Sequence, residues 1–193
     1  MLGLKLPTDP RWVNLAEKSL EEILTDHAYC EQKATTSCIS LIQQYPDKKE
    51  MVEALAPIVD EEWSHFRLVL KELDKRNLNL GQQRKDEYVN KLLSFQKKGG
   101  SRDERLVEKL LTCALIEARS CERFRLLSLH INDDKLKEFY HGFMISEAGH
   151  YRLFIDLAKK YGNEEAVQNR WQEYLQFEAS IMEELTLRGD RMH

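Results

Sequence analysis

The spacing of a few glutamate and histidine residues constrains this chain more than any other feature. Glu31 is followed about thirty residues later by Glu62-Trp63-Ser64-His65, and Glu117 is followed at nearly the same interval by Glu147-Ala148-Gly149-His150. A glutamate and a histidine three positions apart on a helix lie on the same face, so both can reach one metal ion. The sequence therefore contains two matched copies of one metal-ligand pattern.

The same six residues lie on apolar stripes. Apolar and small residues recur in steps of three and four along four long segments, which predicts four helices. We expect the candidate ligands to face a buried interior, where an ionised group without a counter-charge costs several kcal/mol. Two divalent cations would supply that charge. The stripes are Leu20, Leu24, Ala34, Cys38 and Ile42 around Glu31; Leu55, Ile58, Glu62, His65 and Val69; Leu106, Leu110, Cys113, Glu117, Cys121 and Phe124; and Leu136, Tyr140, Phe143, Glu147, His150, Phe154 and Leu157.

Proline and capping residues mark the helix boundaries in the first half of the chain. A first helix is predicted to start at Thr8-Asp9-Pro10 and to end before Pro46-Asp47. A second helix is predicted to run to about Asn77. Pro57 lies inside this second segment, so the helix either kinks or begins there.

A polar crossover over residues 78–100 opens the second half, with a short helix predicted around 86–97. Ser101-Arg102-Asp103-Glu104 is a capping-box pattern and predicts the start of the third helix. Asn132-Asp133-Asp134 separates the third helix from the fourth. A final amphipathic helix is predicted beyond the glycine that ends the fourth.

The composition is typical of one helical domain. The chain has 193 residues, of which 42% are hydrophobic and 32% charged, with eight Gly and four Pro. We expect a single domain over residues 1–193, with a core bundle over about 10–161 and an additional C-terminal helix over about 164–188. The four cysteines include no Cys-x-x-Cys and are expected to be free thiols. No apolar run approaches the ~20 residues of a membrane span, and a signal-peptide pattern is lacking, so a cytoplasmic protein is expected.

Four glutamates and two histidines in this order are the ligands of ferritin-like di-iron and di-manganese bundles. Oxygen-rich sites with imidazole suit iron or manganese, and the lack of thiolate ligands disfavours structural zinc. We therefore predict an all-α, ferritin-like four-helix bundle with a long crossover after the second helix. Glu122 is a competing carboxylate, but it lies off the stripe that contains Glu117. His27 and Tyr29 lie near Glu31 in sequence and are candidates to support it.

Three segments resemble the MiaE-type tRNA hydroxylases, which belong to the ferritin-like superfamily. The resemblance extends from Pro10 to about Leu185, and the run Glu-Ala-Arg-Ser-Cys-Glu-Arg-Phe is its most specific part. Gly149 is a departure, because the family often carries a bulkier residue there. The segments are Asp-Glu-Glu-Trp-Ser-His at 60–65, Ala-Leu-Ile-Glu-Ala-Arg-Ser-Cys-Glu-Arg-Phe-Arg at 114–125 and Ile-Ser-Glu-Ala-Gly-His-Tyr at 145–151.

The resemblance implies an oxygen-dependent monooxygenase. Its substrate would be 2-methylthio-N6-isopentenyladenosine beside the tRNA anticodon, whose isopentenyl group gains a hydroxyl. The resemblance also implies two iron ions as cofactor and dioxygen as co-substrate, with Glu62 and Glu147 as bridging ligands. Tyr29 and Phe143 are candidates for contact with the prenyl group. The full ligand set that it implies is Glu31, Glu62, His65, Glu117, Glu147 and His150.

The residues themselves say little about how tRNA would be recognised. The net charge of −4 gives no general attraction to nucleic acid. Arg119 and Arg123 share one helix face and either contact RNA or brace the helices through ion pairs. We expect a monomer that receives electrons from an external donor of the ferredoxin or flavodoxin type. The main candidate RNA contacts are Arg84, Lys85, Lys97, Lys98, Arg102 and Arg105.

Three other functions are compatible with the pattern. A di-iron hydroxylase of another substrate, such as a membrane quinone, would dock through an amphipathic surface, for which the C-terminal helix with Trp171 and Phe177 is the candidate. A ferroxidase or peroxide-detoxifying protein would use the same ligands, because ferritins oxidise iron at such a site. A metal-free helical bundle would require the six residues to lie at the surface.

Overall fold

The computed structural model describes residues 2–193, and the regular structure within that range is helical, with no strand. The predicted all-α class is therefore confirmed. The helices are α1 (Arg11–Lys18), α2 (Leu20–Gln44), α3 (Lys49–Lys75), α4 (Glu87–Phe95), α5 (Arg102–His130), α6 (Asp134–Tyr161) and α7 (Glu164–Glu184).

The contacts between residues divide the chain into two compact units. One unit consists of Asn14–Lys85 and Arg188–Met192. The other consists of the chain up to Val13, together with Asp86–Leu187 and His193. The single domain over residues 1–193 stays a prediction.

The unit that contains Asn14–Lys85 is built on α2 packed against α3. Its C-terminal segment is held by the buried carboxylate of Asp26 on α2. The Arg191 guanidinium donates to this carboxylate at 2.7 Å, and the Met192 N–H donates to it at 2.8 Å. The buried Asp26 therefore holds the segment Arg188–Met192 against α2.

The predicted stripe of α2 is only partly buried. Leu20, Ala34 and Ile42 are only half-buried, whereas the buried face includes Leu24, Ala28, Glu31, Thr35 and Cys38. The Thr35 hydroxyl donates to the Glu31 carbonyl at 3.0 Å, and this bond lets a polar residue lie in the interior. The hydrophobic pattern of α2 therefore predicted only part of its buried face.

In the other unit, α5 and α6 pack together along most of their lengths, and α4 and α7 contact α5. The predicted stripe of α6 is buried throughout, from Leu136 to Leu157. α5 begins with the predicted capping box. The Ser101 hydroxyl accepts from the Glu104 N–H at 3.1 Å, and the Glu104 carboxylate accepts from the Ser101 N–H at 2.6 Å. Two N–H donors at the helix start are thereby paired.

Several predicted boundaries were wrong. The first predicted helix is two helices, because the chain breaks at Ser19, whose N–H donates to the Ala16 carbonyl at 3.1 Å. α3 begins at Lys49 and contains Pro57, so it does not begin at this proline. α7 ends at Glu184, short of the predicted end at Arg188.

The four cysteines are free thiols, as predicted. Burial raises the pKa of both Cys113 and Cys121 to about 12, so these two thiols stay protonated at neutral pH. No helix within residues 2–193 has the length and hydropathy that a membrane span requires.

Candidate metal centre

The first candidate set consists of Glu31 on α2 with Glu62 and His65 on α3. All three side chains are buried, and Glu62 is only 1% exposed. The His65 Nδ1 lies 3.3 Å from the Glu31 Oε2 and 3.6 Å from the Glu62 Oε2. Each residue offers one ligand atom, and these atoms lie within 4.8 Å of one another. The α2–α3 pair therefore brings together the three residues that the first motif predicted.

His27 supports this first set. It lies one turn before Glu31 on α2 and is fully buried, with its Nε2 at 2.8 Å from the Glu31 Oε1. One oxygen of Glu31 thus faces His27, and the other faces His65, which orients the carboxylate plane. Tyr29, the other predicted supporting residue, donates its hydroxyl to the Gly81 carbonyl at 3.0 Å, so its phenol is held at the loop after α3.

The second candidate set consists of Glu117 on α5 with Glu147 and His150 on α6. All three are buried. The His150 Nδ1 lies 3.6 Å from the Glu147 Oε2, and one ligand atom from each residue lies within 4.8 Å of the others. The packing of α5 against α6 therefore repeats, with another pair of helices, the arrangement of the first set.

The two sets have the same chemical composition: two carboxylates and one imidazole in a buried position. Carboxylates at such separations repel each other strongly in a medium of low dielectric constant. A divalent cation removes this repulsion, and oxygen ligands with one imidazole suit iron and manganese. Each set can therefore hold one metal ion.

Comparison with known proteins identifies the family. The sequence matches, over residues 2–193, the family described as MiaE: tRNA-(MS[2]IO[6]A)-hydroxylase. The chain belongs to the MiaE family. It is thus an enzyme of a tRNA hydroxylase family, as its motifs predicted.

Two MiaE relatives carry the same name, tRNA 2-(methylsulfanyl)-N(6)-isopentenyladenosine(37) hydroxylase. The protein from Pseudomonas putida is 35% identical over 161 residues, which cover 83% of this chain and 77% of the relative. The protein from Salmonella typhimurium is 26% identical over an alignment of 217 positions, gaps included, which covers 84% of this chain and 77% of the relative.

A solved structure from Synechococcus is also similar. It is described as Protein 43 with aldehyde deformylating oxygenase activity, and it matches with a TM-score of 0.92 at 33% sequence identity. The match covers 98% of this chain and 94% of that chain. The predicted ferritin-like fold class is therefore confirmed.

The most specific MiaE segment, residues 114–125, contributes an ion network in addition to the candidate ligand Glu117. Arg119 is fully buried, and its guanidinium donates to Glu178 at 2.8 Å, to Glu122 at 2.6 Å and to the Leu6 carbonyl at 2.9 Å. Burial opposes the charge of Arg119, but the carboxylates of Glu178 and Glu122 outweigh it and raise its pKa. This ion network joins α5, α7 and the N-terminal segment.

Glu122, the competing carboxylate, belongs to that network. Its two oxygens accept from the Thr8 N–H at 2.8 Å and from the Thr8 hydroxyl at 2.5 Å, in addition to Arg119. Glu122 therefore braces the helices, whereas Glu117 lies near Glu147 and His150; its role as a metal ligand stays a prediction.

Arg119 and Arg123 were also candidate RNA contacts. Both side chains are buried, so that interpretation was wrong, and the bracing alternative is confirmed for Arg119. Arg123 lies over the Trp12 ring, 4.7 Å from its centroid. Burial, together with the neighbouring Arg119 charge, lowers the pKa of Arg123 to about 10. No local signal could have revealed this network, because Thr8 and Glu178 are far from Arg119 in sequence.

The six main basic candidates fall into both units. In one unit, Arg84 donates to Asp190 at 2.6 Å and to the Glu22 carbonyl at 3.0 Å, so its guanidinium has a structural partner, and the exposed Lys85 follows it. In the other unit, the remaining four are exposed on or next to the loop between α4 and α5. These four are Lys97, Lys98, Arg102 and Arg105.

Proposed function

We propose that the two sets bind two iron ions and that this centre hydroxylates the isopentenyl group of 2-methylthio-N6-isopentenyladenosine in tRNA. The observation that carries the proposal is the pair of buried Glu/Glu/His sets, each with ligand atoms within 4.8 Å. Membership of the MiaE family supports the choice of substrate. Glu31, Glu62 and His65 would hold one ion, and Glu117, Glu147 and His150 the other.

The assignment of bridging ligands rests on the family resemblance. Glu62 and Glu147 are the least exposed carboxylates of their sets, and each is paired with a histidine one turn later on the same helix. When bound, a di-iron centre would pass electrons from a reductant to dioxygen and would supply the oxidant for an allylic C–H bond.

The stoichiometry of the reaction requires a reductant. One oxygen atom of dioxygen enters the C–H bond as a hydroxyl group, and the other leaves as water. Two electrons and two protons are consumed, and we propose that a ferredoxin- or flavodoxin-type donor supplies the electrons. We also propose that the protein acts as a monomer in the cytoplasm, where tRNA is found.

The residues around the second set offer an apolar surface for the substrate. Phe143 lies one turn before Glu147 on α6 and is buried. Its ring centroid lies 5.5 Å from that of Phe124 and 4.8 Å from that of Phe139. An isopentenyl group is small, branched and apolar, so it fits against aromatic rings, and burial excludes the water that would compete for the oxidant. We propose that Phe143 contacts the prenyl group.

His27 acts on the reaction through Glu31. Its contact with the Glu31 Oε1 at 2.8 Å fixes the carboxylate, so that the Oε2 stays directed towards His65. Groups that orient a metal ligand in this way typically change metal affinity or activity by about 10–100-fold when they are removed.

Mass spectrometry of nucleosides tests the proposal. Iron-loaded protein, dioxygen and a reductant are incubated with tRNA that carries the prenylated adenosine, and bound iron is counted in parallel. We expect the nucleoside to gain one oxygen atom. Glu117→Ala should abolish this gain, whereas the matched control Glu138→Ala, an exposed glutamate on α6, should not. Two bound irons without a gain of oxygen would contradict the tRNA substrate.

The similarity to the Synechococcus protein favours a second candidate. That protein is described as having aldehyde deformylating oxygenase activity, and it is 33% identical to this chain. The same assay with a long-chain aliphatic aldehyde in place of tRNA distinguishes the two. Turnover of the aldehyde but not of tRNA would establish this second function.

The quinone and metal-free alternatives receive less support from the structure. Docking to a lipid surface requires exposed apolar groups, but Trp171, Tyr174 and Ile181 of α7 are buried. The six candidate ligands are likewise buried, which disagrees with a metal-free bundle whose charged residues lie at the surface.

A further inference from the structure

The loop between α4 and α5 borders an open cleft that is lined mainly by positively charged side chains. The cleft has a volume of about 480 Å³. It lies in a protein whose net charge is −4, yet most of its ionisable groups are cations. The residues that define it are Leu93, Lys97, Lys98, Arg105, Glu108 and Lys109.

Glu108, the carboxylate of this cleft, is already neutralised. Its oxygens accept from the Arg170 guanidinium at 2.7 and 2.8 Å, from the Lys97 N–H at 3.0 Å and from the Tyr174 hydroxyl at 2.8 Å. Burial acts against the charged form, but these donors outweigh it and hold the pKa of Glu108 below its usual value. The four cations are therefore not balanced by this acid.

Two of the cations are available to a ligand. The side-chain ammonium groups of Lys98 and Lys109 make no hydrogen bond or ion pair with the residues that the structure describes, 2–193, whereas the Lys97 ammonium lies 4.0 Å from Glu173. The Arg105 guanidinium donates to the Gly100 carbonyl at 2.6 Å, which holds it over the loop. Leu93 is 46% exposed and adds an apolar surface.

The loop that carries these cations has a fixed shape. Gly100 has a φ of +75°, and a Cβ at this position would meet the Glu104 Oε2 at 2.6 Å. The capping box of Ser101 and Glu104 then holds the start of α5. These contacts restrain the loop, so binding costs less conformational entropy than it would for an unrestrained loop.

We propose that this cleft binds the sugar-phosphate backbone of the RNA substrate. Phosphate groups are attracted to lysine and arginine side chains regardless of sequence. The exposed Leu93 offers an apolar contact to a ribose or base. The inference rests on the proposed function, since it assigns a second contact to the same tRNA substrate.

The position of the cleft favours a polymer over a free nucleoside. Lys109 and Glu117 are both on α5, and their separation corresponds to about 12 Å along the axis at ~1.5 Å per residue. A polynucleotide carries phosphates at several nucleotides from its target base. It can therefore place that base near Glu117 and a phosphate near Lys109 at the same time.

RNA binding as a function of salt tests this inference. A fluorescently labelled anticodon stem–loop with an unmodified adenosine is titrated with iron-loaded protein between about 50 and 200 mM salt. The test variant is Lys98→Glu/Lys109→Glu. The matched control is Lys18→Glu/Lys135→Glu, which changes the net charge equally at exposed lysines outside the cleft.

We expect the test variant to bind at least about tenfold more weakly than the control at ~100 mM salt. Its slope of log affinity against log salt should be smaller by about two, because each lysine that contacts a phosphate contributes about one. With prenylated tRNA, KM should rise while kcat is retained, because the metal sets are unchanged. Equal affinities and slopes in the two variants would overturn the inference.

The outcome is distinguishable from a failure of the proposed function. Binding of the unmodified stem–loop does not depend on hydroxylation. A smaller salt slope in the test variant than in the control therefore supports RNA binding by the cleft, even if no oxygen is transferred. If the test variant hydroxylates tRNA with an unchanged KM, the inference that the cleft binds RNA is wrong, and the proposed function still holds. If the variant keeps its RNA affinity but accepts electrons more slowly from an acidic donor protein, the cleft is a protein-docking surface instead.

Discussion

Three buried glutamates on α5 have different partners. Glu108 is held by the Arg170 guanidinium, and Glu122 is held by Arg119. Glu117 lies between them in sequence, yet it is grouped with another carboxylate and an imidazole on α6. The same side chain, equally buried on one helix, thus occurs in two kinds of environment.

The difference lies in the chemistry of the partners. A guanidinium is always charged and offers only donors, so it neutralises a carboxylate permanently and cannot ligate a metal. An imidazole can ligate a metal through a ring nitrogen. Buried glutamates with arginine partners therefore stabilise the fold, and those grouped with histidine are suited to hold a cation.

Substitution of Arg119 should have the largest effect, which is a loss of protein stability. Arg119→Met leaves the buried Glu178 and Glu122 without their guanidinium, and removing one member of a buried ion pair costs about 3–5 kcal/mol. Urea unfolding of the metal-free protein measures this loss. Arg125→Met, at an exposed arginine on the same helix, is the control and should change stability by less than about 0.5 kcal/mol. Equal unfolding midpoints would show that the Arg119 network does not stabilise the fold.

The next effect concerns activity, at Glu117. Glu117→Gln keeps the shape of the side chain but removes a charged ligand, so hydroxylation should fall by at least about 100-fold. The metal-free protein should unfold within about 1 kcal/mol of wild type, because the change also relieves repulsion between buried carboxylates. Nucleoside analysis and urea unfolding measure the two quantities. A large loss of stability with retained activity would place Glu117 with the structural glutamates.

A smaller effect is expected at His27. His27→Ala removes the group that orients the Glu31 carboxylate, and iron affinity should fall by about 10–100-fold. Competition for Fe²⁺ with a chelator of known affinity measures the change. His141→Ala, at an exposed histidine on α6, should have no effect. Unchanged affinity in His27→Ala would mean that Glu31 is oriented without it.

The smallest effect is expected at Glu108, in the dependence of protein stability on pH. Its pKa is lowered in the folded protein because hydrogen bonds from Arg170, Lys97 and Tyr174 outweigh burial. A lowered pKa contributes stability that is present above the unfolded value, about 4.3, and that is lost as the pH falls through the folded value. In the metal-free protein, Glu108→Gln should therefore lower stability near pH 7 and show a smaller loss between about pH 5 and 3. Parallel stability curves for the two proteins would contradict this linkage.

The local patterns predicted a large part of the fold and of the candidate site. The period of three and four along α6 placed Glu147 and His150 on a buried stripe, because that stripe is otherwise apolar. The capping box at Ser101 fixed the start of α5, because its two hydrogen bonds join residues three apart. The grouping of Glu117 with α6 followed from the matched spacing of the two motifs.

Long-range partners could not be predicted. Arg119 donates hydrogen bonds to Glu178 and to the Leu6 carbonyl. Both partners are far from Arg119 in sequence, so no local pattern indicates these contacts. The break at Ser19 was missed because the residues around it have an ordinary helical composition. The buried face of α2 was predicted only in part, because Thr35, a polar residue, lies on it.

The most direct test of the account is the number of iron ions that each variant binds. Wild type, Glu117→Gln and Glu108→Gln are loaded anaerobically with Fe²⁺, freed of excess metal and analysed for iron per folded chain. We predict two ions in wild type and in Glu108→Gln, and at most one in Glu117→Gln. Two ions in Glu117→Gln, or equal losses in both variants, would contradict the assignment of Glu117 to a metal centre.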